Sequence, residues 1–312
     1  MTAKALMVKS KSNYTAIYSA LCFFLSFIMI ALSKEIKEGV YNGLTFSFTT
    51  IIPTLFPFYI LSDLWSAWFR VKKDSTLSKI FEKIFNINSC GLTAMISGIV
   101  CGFPIGVKSA SQLYIKNEIT YDEFERLSGF VNNPSASFII SGVGAGMLGD
   151  TRAGFLLYVS VIFSSALVGN VFRNSKSKSK NTDVNIRQSF NLVDSIKNAA
   201  TTSISVASYI IFFSGLISVV NSAVPSEALR SVISSFLEVS NATKLIVLCS
   251  DFDLPMKLGL IGFSLGFSGL SVHMQAMSFF GGAPFPRKYF RMKLLQGVLS
   301  ALLSFTLAGF LI

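Results

Sequence analysis

Charge is what this sequence has least of. Lysine, arginine, aspartate and glutamate make up 14% of its 312 residues, against about 25% in a soluble domain. A soluble fold of this length needs far more charge to cover its surface, so that class is excluded. Histidine is nearly absent as well: His273 is the single one. No cysteine or carboxylate stands beside it, whereas a structural zinc site takes four ligands and a catalytic one usually three. No metal site and no cofactor are therefore expected. The 4 cysteines, Cys22, Cys90, Cys101 and Cys249, lie scattered in apolar runs without ligand spacing and imply no disulfide. Of the 16 acidic residues, the clearest group, Glu118, Asp122, Glu123 and Glu125, reads as a solvated face near a loop. No serine-lysine or metalloprotease motif accompanies it, and an enzyme is not expected.

What the chain does have is apolar length. It is 51% hydrophobic, with 30 phenylalanines and a mean hydropathy of +0.58. Tyr14 to Leu32 carries no charge and is long enough, at about 1.5 Å per residue, to cross a bilayer core of about 30 Å. No cleavage site with a polar sequence behind it follows, so this run reads as a first span rather than a signal peptide. The expected class is an all-α polytopic membrane protein in a lipid bilayer. Its formal charge of +11 requires no nucleic acid. Much of that charge sits in loops such as Phe172 to Lys180, where lysines anchor against anionic headgroups. Arg70 to Phe85 is basic and amphipathic and suits an interfacial helix.

Backbone breakers fall inside the apolar runs. In "CGFPIGVKSA" Pro104 cannot donate a helix hydrogen bond, while Gly102 and Gly106 let the chain turn cheaply. Lys108 follows within the same run. A lysine near mid-membrane must snorkel, pair or face water, so it is a binding candidate, with snorkelling left open. "FVNNPSASFIISGVGAGML" places Asn132, Asn133 and Ser135 around Pro134, either as cavity lining or as helix-packing glue. "GFSGLSVHMQA" offers Ser268, Gly269, Ser271, His273 and Gln275. There His273 either bonds to another helix or contacts a solute. Pro53 and Pro57 bracket "TLF" in a segment that reads as a kinked span or as a re-entrant hairpin.

The chain also shows a faint internal repeat. Val40 to Leu64 and Ser195 to Val220 share the same order of polar, Ser/Thr-rich and aromatic features, and "CGFPIGVKSA" aligns with "GFSGLSVHMQA". Paired, interrupted hydrophobic segments point to an internally repeated transporter. The expected layout is an N-terminal transmembrane helix in residues 1–32 and repeats at 33–148 and 189–312. A linking span, Ala153 to Phe172, and a basic loop fill residues 149–188.

The stretches "SGIVCGFPIGVKSA", "NNPSASFIISGVGAGMLGD" and "GFSGLSVHMQA" resemble those of the sporulation integral membrane protein family known as YlbJ. That family is grouped with the nucleoside-recognition, or Gate, domain membrane proteins. The resemblance runs from about Ser33 to the C-terminus. It implies a multi-pass protein of the bacterial cytoplasmic membrane with a role in spore cortex or coat formation. It also implies a core similar to that of concentrative nucleoside transporters, in which two re-entrant hairpins and two unwound helices surround the substrate. Carried onto this chain, the hairpins become Val40 to Trp68 and Ser195 to Val220. The unwound helices become those broken at Gly102, Phe103 and Pro104 and at Ser268-Gly269. Acidic groups of the kind that hold sodium are missing from these breaks.

These features point to a transporter or permease for a small polar or anionic solute, with Lys108 and His273 lending positive charge at a shared site. The competing reading is a non-transporting scaffold in a developmental complex, whose partners would be other membrane proteins or a second copy. A reporter or cysteine-labelling map is expected to place the N-terminus and the Lys176 to Lys180 linker inside. Finding both outside would overturn that orientation.

Overall fold

The computed structural model describes residues 19–68 except 21 and 25, 75–174 and 191–310. Of the expected first span Tyr14 to Leu32, residues 14–18, 21 and 25 lie outside the described residues and the rest is helical up to Ala31; all of the Lys176 to Lys180 linker lies outside them. Among the described residues there are helices and no strands. Five helices are long and apolar enough to cross a membrane: Ser33–Leu64, Thr151–Val171, Leu192–Ala223, Leu254–Ser278 and Tyr289–Phe310. The protein is an all-helical, multi-pass membrane protein.

The first long helix joins α1 (Ser33–Phe46) to α2 (Ile52–Trp68) through a wider π-wound turn, Ser47–Ile51. The second is α9 (Leu192–Ala223), started by Asn191, whose side chain accepts from the Val193 N–H. The two run antiparallel. Gly39 and Gly43 lie against Ser214 and Ser218 at one end, and Asn198 donates to Asp63 at the other. Neither is a re-entrant hairpin, which corrects the expectation for Val40 to Trp68 and Ser195 to Val220. The proline ring at position 53 would collide with the carbonyl four residues earlier in a regular helix, and the π-wound turn supplies the extra room. α9 contains no proline, and its one glycine, Gly215, packs against Val40 within a continuous helix.

Helical hairpins do occur, elsewhere. α4 (Gly91–Cys101) and α5 (Ile105–Ile115) fold back on each other about Gly102, Phe103 and Pro104. α10 (Glu227–Leu237) and α11 (Val239–Leu248) do so about the extended Glu238. In the first, Gly98 and Gly106 face each other across the two arms, and the Val131 carbonyl is wedged between them; a methyl group at either glycine would overlap it. That close approach is what the glycines permit.

Two helices are broken rather than folded back. α6 (Tyr121–Val131) opens with a reciprocal capping box between Thr120 and Glu123. It gives way at residues 132–136 to α7 (Ser137–Leu148), which is π-wound throughout. α12 (Leu254–Phe267), capped by Asp253, gives way at Ser268 to α13 (Gly269–Ser278). α8 (Thr151–Val171) packs back along α6 and α7, bringing Gly154 onto Gly144 and Gly169 onto Phe130. α14 (Tyr289–Leu307) packs on α12, where Gly262 and Gly266 accept Ser304 and Ser300. Small residues here let backbones approach where lipid offers no hydrophobic gain on helix association. The remaining helix, α3 (Thr76–Phe85), buries Ser78, Phe81 and Phe85 and exposes Leu77 and Ile80.

With α3 set aside, the same order of elements occurs twice: long helix, hairpin, broken helix, closing helix. It runs α1–α2, α4–α5, α6–α7, α8 and then α9, α10–α11, α12–α13, α14.

Gly98→Ala and Gly106→Ala should each destabilise the fold by about 1–3 kcal/mol through overpacking on the Val131 carbonyl. Thermal melting in detergent would show this as a drop of several degrees. Gly309→Ala, with nothing within 4 Å of the added carbon, should melt like wild type.

Candidate functional site

Each hairpin tip meets one helix break. Gly102, at φ +78°, sits so close to Ser135 that a side-chain carbon would lie 2.7 Å from the Ser135 nitrogen. Gly269, at φ +68°, lies beneath the second tip at a slightly wider spacing: a side-chain carbon there would be 3.1 Å from the Leu237 oxygen and 3.2 Å from the Glu238 Cα. Only glycine takes such a backbone without strain, so both contacts depend on it.

Between these two junctions and the long helices lies a cavity of about 290 Å³. The first long helix contributes Phe46, Thr50, Ile51, Thr54 and Leu55, and α9 contributes Val206 and Ile210. Gly102 and Phe103 come from the first tip, Ser135 from the first break, and Ser137, Phe138, Ser141, Gly142 and Met147 from α7. Glu238, Val239 and Ser240 come from the second tip, and Val272 and Gln275 from α13. The wall is mostly apolar and aromatic with a few convergent polar groups, which is the usual make-up of a small-molecule site. The Gln275 Oε1 is buried there without a protein partner. Its amide reaches only Ser271, at 3.4 Å.

Glu238 is the one acidic group in this wall. Its carboxylate accepts from the Ser240 and Asn241 backbone N–H groups at 2.9 and 2.8 Å, and from the Asn241 side chain at 2.8 Å. These donors all belong to the start of its own helix, α11. Two helices start next to this wall with no side chain capping them: α5, two residues after Phe103, and α13, three residues before Val272.

Of the residues singled out from sequence, Gly102, Phe103, Ser135 and Gln275 line the cavity. Pro104 precedes α5 in the first tip, and Gly106 serves the notch around Val131. Ser268 and Gly269 form the second break, and Ser271 supports Gln275. Asn132 and Asn133 face away from the cavity, toward α14 and α8. Asn132 donates to the Tyr289 hydroxyl at 2.9 Å, and Asn133 to Ser165 at 3.1 Å and to the Phe130 carbonyl at 2.8 Å.

Lys108 and His273 do not meet, against expectation. The outgoing arm of the first hairpin lies along α2, so Lys108 pairs with Asp63 at 3.5 Å and neither side chain is in the cavity wall. His273 is enclosed by the rings of Phe267, Tyr289 and Phe290. Its Nδ1 lies 3.2 Å from the Tyr289 hydroxyl. That hydroxyl also accepts from Asn132, so Asn132, Tyr289 and His273 form one buried hydrogen-bonded chain.

Asp63, Glu238, Tyr289, Lys293 and Gln296 are the polar residues that sequence reasoning passed over. For α14 the signal was present: Tyr289, Lys293, Gln296, Ser300 and Ser304 recur at helical spacing, and all are fully buried. Glu238 carried little signal, since its hairpin tip contains neither glycine nor proline. The acidic cluster lies away from the cavity and is more buried than a solvated face. Asp122 pairs with Arg126 at 2.8 Å, and Lys288 bridges Glu125 at 2.8 Å and Asp122 at 3.3 Å. The Glu125 carboxylate, with Asp122 beside it, raises the Lys288 ammonium above its ordinary pKa. Among the described residues no group of histidine, cysteine and carboxylate ligands could hold a metal ion.

No family model matches the chain, and no solved structure matches it. The chain is similar to the sporulation integral membrane protein YlbJ of Bacillus subtilis (strain 168). The two are 26% identical over 336 aligned positions, which cover 94% of this chain and 82% of that protein.

Proposed function

We propose that this chain is a transporter or permease for a small polar or anionic solute. The observation that carries the reading is the cavity walled at once by both hairpin tips, the first helix break, α13 beyond the second break, and both long helices. Irregular backbone is tolerated at membrane depth only where protein buries it or a cavity is lined by it. Three such places lining one cavity, with the second break set against the second tip, support a binding site.

The chemistry of the wall fits the solute class. The uncapped starts of α5 and α13 carry partial positive charge, which favours a negative group. Thr50, Thr54, Ser135, Ser137 and Ser240 offer hydroxyls, and Phe46, Phe103 and Phe138 offer flat apolar faces. Lys108 and His273 are not needed for this, and the helix ends replace them in the reading.

The doubled order of elements, with its antiparallel pair of long helices, supports two halves related by inversion. α8 then closes the first half as α14 closes the second. Hairpin tips at Gly102–Pro104 and Glu238, with breaks at 132–136 and Ser268, form a core like that expected of the concentrative nucleoside transporters. The similarity to a sporulation integral membrane protein supports a role in spore formation.

The test is uptake into proteoliposomes of a panel of phosphorylated, carboxylated and nucleoside solutes. Saturable uptake of one class is expected in the wild type. Gly142→Phe should lower it at least about tenfold: Gly142 faces the cavity, and an added carbon meets only Phe138, at 3.7 Å, so the ring fills the site. Uptake unchanged in Gly142→Phe, or no uptake of any solute, would contradict the proposal and favour a scaffold.

A further inference from the structure

The two helix breaks satisfy their freed carbonyls differently. At the second, the Ser268 N–H bonds the Ser264 carbonyl at 2.8 Å and its hydroxyl bonds the Leu265 carbonyl at 3.1 Å. That break is closed by its own residues. At the first, the Asn132 carbonyl, at the end of α6, receives the ammonium of Lys293 from α14 at 2.8 Å. The same ammonium donates to the Gln296 Oε1, also at 2.8 Å.

Lys293 is fully buried. Among the described residues no carboxylate pairs with it. A buried ammonium without a counter-ion is held only where dipoles replace its hydration. Those dipoles are present here. The C-terminal end of α6 carries partial negative charge. Gln296 is oriented because its Nε2 donates to the Asn133 Oδ1 at 2.7 Å, leaving Oε1 for Lys293. Asn132 brings a further oxygen to the same break, its Oδ1, which is buried without a partner. Neutral oxygens gathered around a single positive charge are what a desolvated monovalent cation takes.

We propose that the Lys293 ammonium is an internal cation: it occupies a carbonyl-lined site for a monovalent cation at the 132–136 break. The first half of the fold then requires no ion from solution at this place. Removing the side chain while leaving room should expose the site to sodium, potassium or methylammonium.

The test uses the purified full-length chain in detergent, melted in sodium, potassium, methylammonium or bulky N-methyl-D-glucamine chloride at equal ionic strength. It does not depend on any transported solute, so its outcome is separate from that of the uptake experiment. Wild type should melt at the same temperature in all four. Lys293→Ala should melt lower in N-methyl-D-glucamine and rise with a small cation, by about 3 °C at tenfold its dissociation constant. Lys293→Met, which removes the charge but fills the space, should be lowered and show no rise. If Lys293→Ala is recovered folded only when a small cation is present during extraction, the proposal stands. A folded Lys293→Ala indifferent to cations would overturn it. So would a variant recovered in none of them, or a wild type whose melting follows the small cation.

Discussion

The structure depends on one requirement: backbone N–H and C=O groups that leave a helix inside a membrane must find partners there. This chain leaves helix in four places within its apolar body, at two hairpin tips and two breaks. It meets the requirement by setting each tip against a break, Gly102 on Ser135 and Glu238 on Gly269. Neither half of such a pair is stable alone in hydrocarbon. Once paired, the two junctions need only a shared space between them, and the cavity is that space.

The surrounding helices follow from the same constraint. α14 turns its polar stripe inward because its partners are the freed groups of the first break, and its serines fit the glycines of α12. The Val131 carbonyl needs a notch, which two glycines on opposite hairpin arms provide. The long antiparallel helices contribute mainly apolar wall, and Asp63 ties the first hairpin to them through Lys108 while also accepting from Asn198 on α9. The site is thus built by the least regular backbone in the molecule and enclosed by the most regular.

Much of this was legible in the sequence, and the misreadings have physical causes. Scarce charge and long apolar runs were enough for the membrane class. Pro134 and Ser268-Gly269 marked both breaks, since proline and glycine report where a helix is interrupted. They do not report where the chain goes next. Gly102 to Pro104 was therefore read as the break of an unwound helix, when Gly98 and Gly106 allow the arms to fold together. Pro53 and Pro57 suggested a hairpin, but a π-wound turn absorbed the first, and the helix ran on. The Glu238 tip needs no special residue, because an extended glutamate that caps the next helix turns the chain. Lys108 drew notice as a charge in an apolar run, while the more deeply buried Lys293 was hidden near a basic loop.

The central claim is that the cavity between the two junctions is a passage reached from water, and cysteine accessibility tests it most directly. In a chain whose four native cysteines are replaced, Phe103→Cys on one tip and Val239→Cys on the other would be treated with a membrane-impermeant thiol reagent from each side. The account predicts that both positions label, that each is reachable from either side as the protein alternates, and that a transported solute protects both together. Two cysteines that stay unlabelled from both sides in a folded protein would mean a sealed core, and would contradict it.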